Sequence, residues 1–118
     1  MRYLALLPVF LLLFTACEGP YQSESLVGSW QSIAWRNTTT GTERTTPVHF
    51  QFGADERYVA TYGAQEEQGR YWIEQENLHT IEDGKAEKKV RIAKLQNDTL
   101  IFEMNRAGNL EELVLVKQ

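Results

Sequence analysis

A single cysteine in 118 residues excludes a disulfide framework within the chain and any cysteine-clustered metal site. Histidine is nearly as scarce. His49 and His79 are the whole supply and alternate with the apolar Phe50 and Leu78, which places them on the strand surface. A metal site needs three or four converging donors, and neither histidine has partners at ligand spacing, so no metal and no cofactor are expected. There is no basic run, and the formal net charge is −4, a poor balance for gripping nucleic-acid phosphates. No Gly-x-Ser-x-Gly turn and no Ser–His–Asp pattern is present. Glu66, Glu67, Glu74, Glu82, Asp83, Glu111 and Glu112 read as turn or outward strand positions, and Glu103 alternates outward between Phe102 and Met104. A paired acid and base would need one carboxyl buried among aromatics, so the chain is not expected to be an enzyme. Also missing is any window longer than about ten residues with a 3.6 period, which excludes helices as the main building block.

What is present starts with an apolar run from Leu4 to Phe14, preceded by Arg2. A membrane-spanning helix needs about 20 apolar residues; this run is shorter and is interrupted by Pro8. Its ending in the small Thr15 and Ala16 reads as a secretory signal. Phe14-Thr15-Ala16-Cys17 resembles the lipobox of bacterial lipoproteins, with Phe14 where Leu is usual. The resemblance implies that residues 1–16 are a lipoprotein signal peptide and that Cys17 becomes an acylated N-terminus carrying palmitate-type chains. Acyl chains contribute about 0.8 kcal/mol per buried methylene, so several of them make a stable membrane anchor. By the same resemblance, Glu18 in place of Asp directs the protein to the outer membrane of the cell envelope. Residues 17–25, polar and opening near Gly19-Pro20, read as a flexible tether. Residues 26–118 read as one domain, since about 100 residues suffice for a single core and not for two.

From Leu26 onward the period is two. Val48, Phe50 and Phe52 share a face, as do Tyr58, Ala60 and Tyr62, and as do Leu100, Phe102 and Met104. β-Branched and aromatic residues in strict alternation predict strands with one buried face. Seven turns, including the hairpin signal Asp83-Gly84, divide the chain into eight strands near 28–36, 46–53, 56–63, 68–75, 77–82, 85–95, 98–104 and 109–117. Short consecutive strands with tight turns make an antiparallel up-and-down meander. Left flat, it would expose two edges and an uncovered apolar face; rolled into a small barrel it exposes neither. A two-sheet sandwich remains the alternative.

Leu26-Val27-Gly28-Ser29-Trp30 carries a Gly-x-Trp that resembles the opening signature of lipocalins. Phe50-Gln51-Phe52, Gly69-Arg70-Tyr71-Trp72-Ile73 and Leu95-Gln96-Asn97-Asp98-Thr99-Leu100 follow in order, and the set resembles the small bacterial lipocalin-like domain of envelope lipoproteins. The resemblance implies an eight-stranded barrel whose floor is closed by Trp30, with a basic residue of the last strand, here Lys117, packed across it. Trp30, Phe50, Phe52, Tyr58, Tyr62, Tyr71 and Phe102 are the expected inward residues and the candidate ligand contacts. Trp35, sharing a face with Ile33, and Trp72 are candidate exposed contacts for a partner. The Thr-rich segment from Asn37 to Pro47 is either a lid at the barrel mouth or a plain solvated connection. Two functions follow: a lipid-anchored barrel that binds a small apolar or amphiphilic molecule, or a filled barrel that contacts another envelope protein.

Overall fold

The computed structural model describes residues 21–118; the expected signal peptide, Cys17 and the start of the expected tether lie outside the described residues. Alternating apolar residues build eight strands: β1 (Gly28–Asn37), β2 (Val48–Phe52), β3 (Arg57–Tyr62), β4 (Gln65–Glu74), β5 (Asn77–Glu82), β6 (Glu87–Gln96), β7 (Thr99–Arg106) and β8 (Asn109–Lys117). Each pairs antiparallel with the next, and β8 pairs with β1, so the sheet is a closed barrel and not a sandwich. Ahead of β1, Ser23–Ser25 form a 3-10 turn and Tyr21 packs against the core, so ordered structure begins before Leu26. β4 starts earlier than its composition suggests. Gly63, at φ 61, lets the chain reverse over Gly63-Ala64, and Glu66 and Glu67 then pair with Thr61 and Ala60. The cross-strand ladder overrides the weak strand preference of those residues.

One end of the barrel is packed solid. Trp30 is wholly buried, its Nε1–H donates to the Leu26 carbonyl at 2.8 Å, and Lys117 Nζ lies 5.5 Å from its ring centre. Gly28 sits at φ 132, a backbone conformation that L side chains rarely adopt, which is what favours glycine beneath the Lys117 stem. Phe52 stacks on Phe50 at 5.3 Å and meets the Tyr71 ring at 4.9 Å, edges offset as aromatic quadrupoles prefer.

Two register shifts set which residues reach this interior. A bulge between Ser32 and Ala34 inserts one residue into β1 opposite β8. Such an insertion reverses the inward–outward phase beyond it. Ile33 is therefore 65% exposed while Trp35 is 8% exposed and joins the core, so Trp35 is no surface contact and shares no face with Ile33. A second shift between Ile92 and Lys94 brings Leu95 opposite Leu100.

Gly69 is the tightest point of the wall. It is buried between Tyr58 on β3 and Glu82 on β5, and a Cβ there would collide with the Ile81 carbonyl oxygen and lie 2.8 Å from Glu82 Cα. Gly69→Ala should lower stability by about 3 kcal/mol or more, or prevent folding, because rigid backbone cannot yield as a side chain can. Trp30→Ala should cost about 3–5 kcal/mol. Lys117→Met, which keeps the apolar stem over Trp30 and removes the charge, should cost under about 1 kcal/mol. Urea denaturation of the three variants checks this order.

Candidate functional site

The opposite end of the barrel is built differently, because two of its ladders run out. β1 and β2 pair only from Gly28↔Phe52 to Gln31↔His49. Beyond that point the segment after β1 takes the place of a strand. Arg44 N–H donates to the Trp35 carbonyl, Arg36 bridges to Glu43, and Val48 N–H donates to Ser32 Oγ. Thr38 and Thr39 tie the same segment to Leu110. The Thr-rich connection is thus a fastened flap along β1 and β8.

β6 and β7 part in the same way but nothing fills the space. Their pairing ends at Arg91↔Glu103. Above it, Glu87 to Val90 pair only with β5, and Met104 to Arg106 only with β8. A pocket of about 480 Å³ opens at this cleft. Its floor is apolar, formed by Phe50, Leu78, Phe102 and Leu113, with Val90 and Met104 on its walls. The volume falls within the range of small-molecule sites, roughly 300–1,000 Å³.

Of the seven inward residues expected to meet a ligand, Phe50 and Phe102 line this pocket, their rings 5.6 Å apart and edge-to-face. Trp30, Phe52 and Tyr71 belong to the solid end, where Tyr71 Oη donates to the Gly53 carbonyl at 2.7 Å. Tyr62 meets Phe50 edge-on at 5.9 Å, and Tyr58 is buried beside it in β3; neither is part of the pocket wall.

Carboxylates expected to point outward turn instead toward the barrel mouth. Tyr58 Oη donates to Glu67 Oε2 at 2.6 Å, and Lys88 Nζ sits 3.6 Å from Glu67 Oε1. Burial, then the Glu67 bond, pushes the Tyr58 phenol well above its ordinary value; burial, then the Glu67 charge, does the same to Tyr62. Both hydroxyls stay protonated, and that of Tyr58 serves as a neutral donor to Glu67.

Glu111 is 3% exposed, accepts from Trp35 Nε1–H at 2.8 Å and pairs with Arg44 at 3.2 Å and Arg106 at 3.8 Å. Both guanidinium groups also lie over the Trp35 ring, at 4.9 and 5.9 Å. Burial opposes the Glu111 charge, but the Arg44 and Trp35 hydrogen bonds and the two arginine charges outweigh it, holding this carboxyl below its usual range.

On the outer wall, His79 is not the free surface histidine its position suggests. It stacks on Trp72 at 5.2 Å and donates from Nδ1 to Glu87 at 2.6 Å. Among the described residues, no group of three or more His, Cys, Asp or Glu is placed to hold a metal ion.

A family model described as lipocalin-like domain matches residues 26–102. The chain belongs to the lipocalin-like domain family. Among solved structures, an uncharacterized protein from Bacteroides eggerthii DSM 20697 is similar, with a TM-score of 0.63 at 13% identity over 79% of this chain and 99% of that one. Identity that low speaks to fold alone. No curated protein matches the chain.

In this lipocalin-like domain the basic pocket residues Lys88, Lys89, Arg91 and Arg106 escaped the sequence reading. The one signal for them is the charge-rich Lys85–Lys89 stretch at the start of the strand expected near 85–95. The Glu111 geometry yields a pH prediction. A carboxyl whose folded pKa lies below its unfolded value adds stability above the unfolded pKa and loses it as pH falls through the folded one. Glu111→Gln should therefore cost about 1–2 kcal/mol at pH 7, discounted because both arginines are about half exposed. The gap to the parent protein should shrink as pH drops below about 4.5, the ordinary carboxyl value. Thermal unfolding from pH 7 down to pH 3 reads both.

Proposed function

We propose that this protein is a lipid-anchored envelope binding protein. It is attached to the outer membrane through acylated Cys17 and holds one small apolar or amphiphilic molecule in the open half of its barrel. The observation that carries this reading is the pocket of about 480 Å³ whose floor is Phe50, Leu78, Phe102 and Leu113. An apolar hollow beside a packed core gains free energy when apolar surface displaces water, about 25 cal/mol per Å². Its floor carries no ionisable group, which suits holding a molecule better than transforming one. The family to which the chain belongs fits the same reading.

Met104→Trp should fill the pocket. Displacement of an apolar fluorescent probe should show affinity reduced by about tenfold, or 1.4 kcal/mol, with the melting temperature held. Unchanged binding would remove the pocket as the site. Cys17→Ser should move the protein from the membrane fraction to the soluble periplasmic one; continued membrane association would count against the anchor.

One observation favours a partner protein as a second reading. Ile33 projects from the β1 bulge, and Ala34, Val114 and Ile101 form an outward rung across β1, β8 and β7. On that reading, Ile33→Glu abolishes an envelope cross-link while leaving probe binding intact.

A further inference from the structure

We propose that the outer wall formed by β1, β8 and β7 rests on a phospholipid bilayer, with Ile33 pressed among the head groups. The inference rests on the lipid anchor proposed at Cys17 and adds which side of the barrel meets the membrane.

Two rungs of this wall carry no ionisable side chain. Gln31, Val116 and Thr99 form one, with the Gln31 amide spent on the Val48 carbonyl at 3.3 Å. Ala34, Val114 and Ile101 form the next. The β1 bulge leaves Ile33 and Ala34 both outside, and Ile33 projects furthest into solvent. The outer faces of β4, β5 and β6 are unlike this one. Arg70, Glu74, Glu87, Lys89 and Arg91 stand there. In a chain that is 24% charged, an uncharged wall topped by an exposed isoleucine is a surface fitted to an apolar partner.

The rim of the wall carries both signs. Arg36 and Lys94 border it, and so do Glu112 and Asp98. None of the four has an ion pair among the described residues, and the nearby Glu103 is held by Arg91 at 3.0 Å. Such a rim matches zwitterionic head groups, which offer a phosphate and an ammonium to either sign. The Arg36 and Lys94 stems can lie along the apolar wall while their charges reach phosphate.

Distance selects a bilayer over a second protein. Cys17 precedes Tyr21 by four residues, a stretch that spans at most about 14 Å. Tyr21 packs against the core and the Leu26 carbonyl is bonded to Trp30, so the chain enters at the solid end. The uncharged wall begins at that same end. Gln118 N–H donates to the Ser29 carbonyl, and Gln31 is two residues further along β1. A barrel acylated at Cys17 is therefore held with the start of this wall within reach of the head groups. Anchor and wall then act on one surface, and the tether raises the effective concentration of the wall at the membrane.

Fluorescence quenching on the acylated full-length protein in phosphatidylcholine vesicles tests this, with a nitroxide on some lipid head groups. Acylation consumes the Cys17 thiol, so a cysteine added by substitution is the one free thiol to label. A label at Thr99→Cys should be quenched. A label at Gln68→Cys, on β4 across the barrel from β8, should not be. Adding Ile33→Glu should abolish that difference while the protein still floats with the vesicles and melts at the parent temperature. Equal quenching at both positions, or stronger quenching at Gln68→Cys, overturns the proposed face. Quenching at Thr99→Cys that is indifferent to Ile33→Glu overturns the role of Ile33. An unquenched Thr99→Cys label gives the wall to protein instead: to a second copy if the label self-quenches as the protein-to-lipid ratio rises, to another envelope protein if Ile33→Glu abolishes a cross-link. If the parent protein does not float with vesicles, the Cys17 anchor itself fails.

Discussion

Everything in this domain depends on β8 finding β1. The chain builds no long helix among the described residues, so the apolar face of its sheet can be covered only by the sheet itself. Pairing from Trp30↔Lys117 to Asn37↔Glu111 closes the ring. Only then do Trp30, Phe52, Ile92 and Leu115 surround one another and leave water. Trp30 sits where closure and core meet. Its neighbours include the chain ahead of β1, through Leu26, and the end of the last strand, through Lys117.

Closure does not require every ladder to run its full length. The solid end is continuous, and the other end is open on two sides. One side is taken up by the fastened segment after β1, with Arg44 reaching into the Trp35–Glu111 cluster. The other stays parted between β6 and β7. The division is spatial: aromatic packing fills one end, and the unpaired edges at the other leave an open pocket. A uniformly zipped barrel of this size would be nearly filled by its own side chains.

How much of this is legible in the residues depends on range. Strand number and closure follow from period two, turn residues and the need to cover an apolar face; the Trp30 floor and the Lys117 contact follow from the resemblance that Gly28-Ser29-Trp30 carries. Trp35 does not, because a single inserted residue at the β1 bulge reverses the phase and leaves no compositional trace. Glu111 does not, because its burial is made tolerable by Arg44, 67 positions away. The cleft is least legible of all. It is a missing set of pairings between Lys88–Val90 and Met104–Arg106, residues that alternate well enough to have continued. Tyr58 and Tyr62 were sensible ligand contacts by type, but partners within the barrel engage them first: Glu67 for Tyr58, Phe50 for Tyr62.

The seam between the first and last strands has a kinetic meaning as well. Seven hairpin contacts are local, but the eighth joins Gly28–Asn37 to Asn109–Lys117, and Gln118 N–H donates to the Ser29 carbonyl at the very end of the chain. Loop-closure entropy for so long an intervening segment must be met before the apolar interior rewards it. The seam is therefore the pairing of greatest sequence separation in the domain, the one whose closure costs most chain entropy. Without the β1–β8 pairing the sheet would have two bare edges open to other chains.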